Sequence, residues 1–163
     1  MLDKFINYLE EKRWRYLANI EQSTINLTLS GTNGVFYCSA RDDQELMRFS
    51  FLTWCIAACP PNIRIGMAEL LMRLNGTIFY GSFELDFETG SIAFKTSIFY
   101  EGLELNSIAF DNVVINNIHI MDECTPPILK FIYGGITPLE AVNIRKEKLQ
   151  MLNTPQIEEG SNS

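Results

Sequence analysis

The chain has 163 residues, of which 47% are hydrophobic and 20% charged, a balance that favours one folded domain with an apolar core over a disordered chain. Its 20 Asp and Glu outnumber its 13 Lys and Arg, giving a formal net charge of −7, so nucleic acid and anionic membranes are disfavoured as partners. The longest apolar run, residues 51–61, is well short of the roughly 20 residues that cross a bilayer. The sequence therefore predicts no membrane segment.

The first predicted element is an amphipathic helix over residues 2–12, because its apolar residues recur at helical spacing. Alternation of apolar and polar residues then predicts three strands, over residues 25–30, 35–41 and 47–52. Only short turn segments separate these strands, so we expect them to pair as an antiparallel meander.

The turn between the first two strands is predicted at Asn33 and Gly34, the strongest short hairpin signal in this part of the chain. A two-residue turn fixes which residues of the two strands lie opposite each other. The predicted facing pairs are Leu29 with Cys38 and Leu27 with Ala40.

A second helix is predicted over residues 63–74, with Gly76 as its C-terminal cap. A β-hairpin follows within residues 77–102, where two alternating runs meet at a four-residue turn, residues 87–90. Gly90 should adopt a left-handed conformation in that turn. The predicted facing pairs are Phe83 with Phe94 and Leu85 with Ile92.

The third predicted helix starts with Asn106 or Ser107 as its N-cap and continues to Tyr133. Pro126 and Pro127 interrupt its pattern, because proline lacks the backbone N–H that a helix interior uses. The sequence leaves open whether these prolines kink one helix or separate two.

A last helix is predicted over residues 138–152, because Thr137 and Glu140 have the spacing of a capping box. The polar residues 153–163 are expected to form a disordered tail. Residues 1–152 should then form a single domain.

The predicted order is one helix, three strands, one helix, two strands and two helices. It contains no sequence repeat and no signature of a parallel crossover. We therefore predict an α+β fold, with an antiparallel sheet of about five strands and helices mainly on one of its faces.

The candidate catalytic groups are the acidic residues of the hairpin and the single histidine, His119. Glu84 and Asp86 lie on the polar face of the hairpin, where alternation alone explains them, and Lys95 is within reach of Glu84. His119 falls in an apolar helix without a serine or cysteine motif beside it, so a structural role explains it better.

The cysteines, Cys38, Cys55, Cys59 and Cys124, form no C-x-x-C motif, and one histidine cannot complete a zinc site with them. We expect four reduced thiols in a cytoplasmic protein, and neither metal nor cofactor. The one basic cluster, residues 12–15, is interpreted as a helix end rather than a nucleic-acid site.

A possible contact site lies at the end of the hairpin away from its turn. In the predicted register, Ile78, Tyr80 and Phe99 fall opposite an apolar set that includes Phe79, so this end is apolar on both faces. A second layer should cover it, either a helix of the same chain or a partner, because exposed apolar patches usually mark contact sites. Ile78, Tyr80 and Phe99 are therefore the candidate partner-binding residues.

Several short motifs between Ala68 and Gly135 resemble the YbjN family of bacterial proteins, described as sensory transduction regulators, and in particular its cyanobacterial versions. The resemblance covers about two thirds of the domain; residues 55–61 and the extended last helix depart from the family pattern. The matching motifs are Leu74-Asn75, the Gly-x-Phe-Glu-Leu-Asp of Gly81 to Asp86, Glu88-Thr89-Gly90, Lys95-Thr96-Ser97, Glu101-Gly102 and the Pro-Pro-Ile to Tyr-Gly-Gly segment that ends at Gly135.

The resemblance implies a fold similar to that of type III secretion chaperones, which are small proteins that bind other proteins and often pair with themselves. It implies no catalytic residues. We therefore expect a non-enzymatic, cytoplasmic protein-binding module, chaperone-like or regulatory, that forms a homodimer. The alternative is a small enzyme or ligand-binding domain that uses Glu84, Asp86 or His119 in a cleft.

Overall fold

A computed structural model of the protein describes residues 1–153 of the chain, with side chains to Met151. It contains four α-helices, one short 3-10 helix and six strands in that part of the chain. The helices are α1 (Leu2–Glu11), α2 (Arg64–Asn75), α3 (Ser107–Gly134) and α4 (Pro138–Asn153), and a 3-10 helix at Pro61–Ile63 precedes α2. The strands are β1 (Tyr16–Asn19), β2 (Thr24–Ser30), β3 (Val35–Asp43), β4 (Arg48–Trp54), β5 (Ser82–Leu85) and β6 (Ile92–Phe99).

The six strands form one antiparallel sheet in the order β1-β2-β3-β4-β6-β5. Helices α1, α2 and α3 pack against one face of this sheet, which we call the core face, and α4 packs against α2 and α3. These features confirm the predicted α+β architecture. The additional strand is β1, where Leu17, Ala18 and Asn19 are all exposed and therefore show no apolar alternation that sequence reasoning could detect.

An aromatic cluster fixes α1 and α3 to the core face. The ring of Phe5 in α1 lies 4.9 Å from the ring of Phe49 and 5.2 Å from that of Phe110. Phe49 and Phe110, from β4 and α3, lie 5.3 Å apart, and all three side chains are fully buried. Aromatic pairs at these separations contribute beyond the area they bury, so this cluster anchors the helical layer.

The β5–β6 hairpin has the predicted register, with Phe83 opposite Phe94 and Leu85 opposite Ile92. Its turn is closed by Gly90 at a φ of 78°, a left-handed conformation that glycine adopts without steric cost. A Cβ at Gly90 would overlap the main-chain oxygen of Cys59. The turn therefore requires glycine both for its conformation and for its close approach to the segment after β4.

The predicted register of the β2–β3 hairpin is wrong by two residues. Leu27, not Leu29, lies opposite Cys38, and the connection has four residues, 31–34, instead of the two-residue turn at Asn33 and Gly34. The larger loop is held by a residue far away in the sequence: the Asp122 carboxylate accepts the backbone N–H groups of Thr32 and Asn33. A shift of two residues keeps the same side chains on the core face, so the local pattern could not detect it.

Helix α3 runs without a break from Ser107 to Gly134 and contains Pro126 and Pro127 in its interior. The two prolines therefore do not separate two helices, which answers the question that the sequence left open. Asn106 is the N-cap, and its side chain accepts the N–H of Ala109 at 3.0 Å. Gly135 ends the helix in a left-handed conformation.

The capping box of α4 is present as predicted. The backbone N–H of Thr137 donates to the Glu140 carboxylate at 2.7 Å, and the Thr137 hydroxyl accepts the N–H of Glu140 at 3.3 Å. The predicted disordered tail starts at the last residue of α4, and its remainder, residues 154–163, lies outside the described residues.

Candidate functional site

One half of β6 has an open edge. Strand β5 pairs with β6 only from Ile92 to Lys95, so in the described part of the chain residues 96–99 have no strand neighbour on that side. The N–H of Asp86 bonds to the main-chain oxygen of Ser91 on the β5 side, whereas that of Cys55 bonds to Ile92 on the β4 side. Backbone groups alternate in direction along an antiparallel strand, so those of Ser97 and Phe99 are directed toward the open edge.

The outer edge of β5 is closed by a side chain. The amide of Asn75, at the end of α2, accepts the backbone N–H of Phe83 at 2.7 Å and donates to the main-chain oxygen of Phe83 at 3.2 Å. Asn75 thus replaces a strand neighbour at this position, a common way of protecting an edge. Because Asn75 protects the edge of β5, the exposed strand edge on this side of the described sheet is the second half of β6, residues 96–99.

Large exposed apolar side chains occur at the end of β6 and in the chain segments that precede β5 and follow β6. Tyr80 is 68% exposed and Phe99 63% exposed, although both are aromatic and so costly to leave in water. We call this set the β6-edge cluster. It consists of Phe79, Tyr80, Phe99, Leu103 and Ile108.

The structure separates the three residues that the sequence grouped. Tyr80 lies beside Ser97 and Ile98 of β6, in one groove with them, and Phe99 is exposed at the end of the same strand. Ile78, in contrast, is half-buried and packs against the core. Their role in binding a partner stays a prediction.

Phe79, which the sequence placed in the apolar set opposite Tyr80 and Phe99, is fully exposed. Strand β5 begins at Ser82, whereas the alternating sequence pattern extends back to Ile78. Gly81 interrupts the extended backbone with a φ of 73°. A Cβ at this position would overlap the main-chain oxygen of Lys95. The chain therefore turns at Gly81 and exposes Phe79 and Tyr80.

A groove of about 340 Å³ lies between the open edge of β6 and the N-terminal half of α3. Its floor is apolar and its helix side carries two amides, which can bond to a peptide backbone. Its lining includes Tyr80, Ile98, Ala109, Val113, Asn112 and Asn116.

Buried polar groups fix α3 above the sheet beside this groove. The Asn117 amide nitrogen donates to the main-chain oxygens of Phe51 and Phe94, at 3.0 Å each. The Thr96 hydroxyl donates to the main-chain oxygen of Val113 at 2.9 Å. Sequence reasoning missed Asn117, because a lone Asn in a helix gives no signal that it is fully buried.

Glu84 and Asp86 line one groove of about 370 Å³, but the structure does not bring His119 to it. His119 lies on an exposed part of α3, where its Nε2 is 3.3 Å from a Glu123 carboxylate oxygen one turn away. Glu84 forms the expected ion pair with Lys95. The carboxylate of Asp86 caps the hairpin turn, and hydrogen bonds from Thr89 and Glu88 lower its pKa.

The four cysteines are free, and none is an activated thiol. Burial raises the pKa of Cys38 to about 11 and that of Cys124 to about 12, which disfavours the nucleophilic thiolate. Residues 1–153 contain no group of metal-ligating side chains that could hold an ion. The helices in this range include none long and apolar enough to cross a membrane.

No family model matches the chain, and no curated protein is similar to it in sequence. Solved structures with a similar fold include the following two. The crystal structure of YbjN from E. coli, a candidate transcription regulator, has a TM-score of 0.59 at 16% identity, over 75% of this chain and 86% of that chain. A chain of the HopA1–SchA chaperone–effector complex has a TM-score of 0.50 at 16% identity, over 71% of this chain and 84% of that chain. The predicted YbjN-like, chaperone-like fold is therefore confirmed.

Proposed function

We propose that this chain is a non-catalytic protein-binding module, chaperone-like or regulatory, and that partners dock at the β6-edge cluster. The observation that carries the proposal is the open edge of β6 flanked by the exposed rings of Tyr80 and Phe99. The fold shared with a candidate regulator and with a chain of a chaperone–effector complex supports the same class of function.

The chemistry of the cluster suits a protein ligand. A strand edge offers unpaired donors and acceptors to another backbone, here those of Ser97 and Phe99. The adjacent groove offers Ile98 and Val113 as apolar contacts for side chains of the added segment. An exposed aromatic such as Tyr80 supplies large contact area at small cost in side-chain entropy.

Self-association through the same cluster is part of the proposal, because two copies of one exposed strand edge can pair antiparallel about a two-fold axis. A cytoplasmic location is also proposed. It is supported by the four free thiols, which suit a reducing compartment.

The test is a double variant, Tyr80→Ser with Phe99→Ser, compared with the matched control Ile65→Ser with Met72→Ser. Ile65 and Met72 are exposed apolar residues of α2, at 79% and 71% exposure, outside the cluster. Each protein is immobilised and mixed with lysate from its host, and captured proteins are identified by mass spectrometry. Light scattering across a dilution series measures self-association of each variant.

We expect the cluster variant to lose both captured partner and self-association, while the control variant retains them. Both variants should keep the unfolding midpoint of the wild type within a few degrees, because the substituted side chains are solvent-exposed. The proposal is wrong if both variants behave alike in capture, or if the cluster variant simply unfolds and so shows that Tyr80 and Phe99 belong to the core.

A further inference from the structure

The sheet face opposite the helices carries a second feature, independent of the β6-edge cluster. Within residues 1–153, no helix covers this outer face. The side chains of Tyr37 in β3 and Trp54 in β4 both lie on it, and their rings stack at 5.3 Å. Tyr37 is 52% exposed, so the pair is accessible to solvent on this face.

A groove of about 740 Å³ runs from this pair toward the β1 edge of the sheet. Trp14, which packs edge-on against Tyr8 at 6.1 Å, forms its far wall. A second groove of about 370 Å³ begins on the other side of the pair, at Trp54 and Leu52, and is also lined by the acidic residues Glu84 and Asp86. We call Trp14, Arg15, Tyr37 and Trp54, with the grooves between and beside them, the outer-face track.

Arg15 is the only charged residue among those that line the larger groove. It is exposed and forms no ion pair within the described part of the chain, and the same holds for Arg13. The neighbouring acids are already engaged: Asp111 pairs with Lys12 at 2.8 Å, and Glu10 accepts the Tyr16 hydroxyl at 3.2 Å. Arg13 and Arg15 are thus cations without an ion-pair partner among the described residues, in a chain whose formal net charge is −7.

The groove also leaves backbone available. Strand β1 pairs with β2 only from Thr24 to Leu27, so among residues 1–153 no strand pairs with residues 28–30 on that side. Thr28 lines the groove. An extended segment that crosses the strands here would therefore pass over this part of β2.

We propose that the outer-face track binds an extended peptide segment with acidic residues at one end and apolar residues at alternate positions after them. The acidic end lies at Arg15, and the apolar side chains pack on Tyr37 and Trp54. Trp, Tyr and Arg are the residues that most often dominate protein interfaces, and charge complementarity sets the direction of the segment.

The dimensions fit a short segment. Three strand spacings separate β1 from β4, which is about 14 Å, or roughly four to five extended residues. Two further acidic residues reach Arg15 and Arg13, so a seven-residue peptide is a suitable probe. Nucleic acid is the disfavoured occupant, because one arginine in a groove of an acidic protein displaces few counterions.

The chain has two tryptophans, and both, Trp14 and Trp54, belong to the track. Intrinsic fluorescence therefore reports binding there without a label. The probe is the synthetic peptide EEVTVTV, with KKVTVTV as the charge control, EESTSTS as the apolar control and oligothymidylate as the nucleic-acid control. The protein variants are Arg15→Glu and Tyr37→Ser, and the control is Lys146→Glu, an exposed cation on α4.

The proposal predicts a saturable fluorescence change with EEVTVTV, at least roughly tenfold weaker binding in Arg15→Glu and Tyr37→Ser, and wild-type binding in Lys146→Glu. Binding should also weaken at high salt. The proposal is overturned if EEVTVTV produces no saturable change, if KKVTVTV or EESTSTS binds equally well, if oligothymidylate binds more tightly, or if Arg15→Glu and Lys146→Glu behave alike. None of these outcomes affects the β6-edge cluster, which contains no tryptophan and none of these residues.

Discussion

Asn33 and Asp122 are 89 residues apart and form a reciprocal pair. The Asp122 carboxylate accepts the backbone N–H of Asn33 at 2.7 Å, and the Asn33 amide donates to the main-chain oxygen of Asp122 at 2.9 Å. That oxygen would ordinarily accept the N–H of residue 126, which is a proline and has none. Pro126 therefore frees an acceptor that Asn33 uses, and the β2–β3 loop is fixed to α3 where the helix lacks a bond.

This pairing predicts that Asp122→Ala destabilises the protein by about 1–3 kcal/mol, because the N–H groups of Thr32 and Asn33 lose their acceptor. Urea unfolding followed by circular dichroism measures the change. Asp3→Ala, at an exposed position of α1, is the control and should change stability by less than about 0.5 kcal/mol. Equal stability of the two variants would show that the loop does not depend on Asp122.

Asn117→Leu should also destabilise the fold, by about 1–3 kcal/mol, although leucine has a similar size. The substitution leaves the main-chain oxygens of Phe51 and Phe94 without the amide that bonds to them in a buried site. Chemical denaturation measures the loss, and Asn112→Leu, on the exposed side of the same helix, is the control. An Asn117→Leu protein that is more stable than the wild type would show that the hydrogen bonds of Asn117 do not stabilise the fold.

Gly81→Ala should be more destabilising than Gly102→Ala. Both glycines have a left-handed backbone, with φ of 73° and 69°, so alanine strains both by about 1 kcal/mol. Only at Gly81 would the added Cβ also overlap a main-chain oxygen, that of Lys95, whereas Gly102 has open space around it. The difference in unfolding free energy between the two variants measures the steric contribution, and equal losses would refute it.

The raised pKa of Tyr100 predicts that the protein loses stability at alkaline pH. Burial and the hydrogen bond from its hydroxyl to Asp42, at 2.7 Å, raise its pKa from 10.0 to about 12. A raised pKa means that the unfolded chain releases this proton first, so the contribution of Tyr100 is complete below pH 10.0 and is lost as the pH rises toward about 12.

The measurement is the unfolding free energy of the wild type and of Tyr100→Phe between these pH values. The advantage of the wild type should shrink with rising pH. Tyr133→Phe, at an exposed position of α3, should show no such convergence. A constant difference between wild type and Tyr100→Phe would contradict the assigned hydrogen bond.

Features set by neighbouring residues could be predicted from the sequence, and features set by distant residues could not. The Phe83–Phe94 register follows from alternation and a glycine turn, and the Thr137–Glu140 cap from spacing alone. The β2–β3 register depends on Asp122, and the edge of β5 depends on Asn75; neither contact has a local signal.

The candidate site also combines features that the local sequence predicts with features that depend on distant residues. Alternation placed Ile78, Tyr80 and Phe99 together. The last two are exposed, but Ile78 packs against the core, and alternation could not show that the chain turns at Gly81 and exposes Phe79. Alternation also could not show that β5 begins only at Ser82, opposite Lys95, since strand length depends on packing across the sheet.

The proposal that partners dock at the open edge of β6 is tested most directly by amide hydrogen exchange at Ser97 and Phe99. Exchange is measured in the free dilute protein and in its complex with a captured partner. The account predicts fast exchange at both amides in the free protein, slower exchange at Lys95, which pairs with Ser82, and protection of Ser97 and Phe99 in the complex. Exchange at Ser97 and Phe99 that is already slow in the dilute protein, or that does not change when the partner binds, would contradict it.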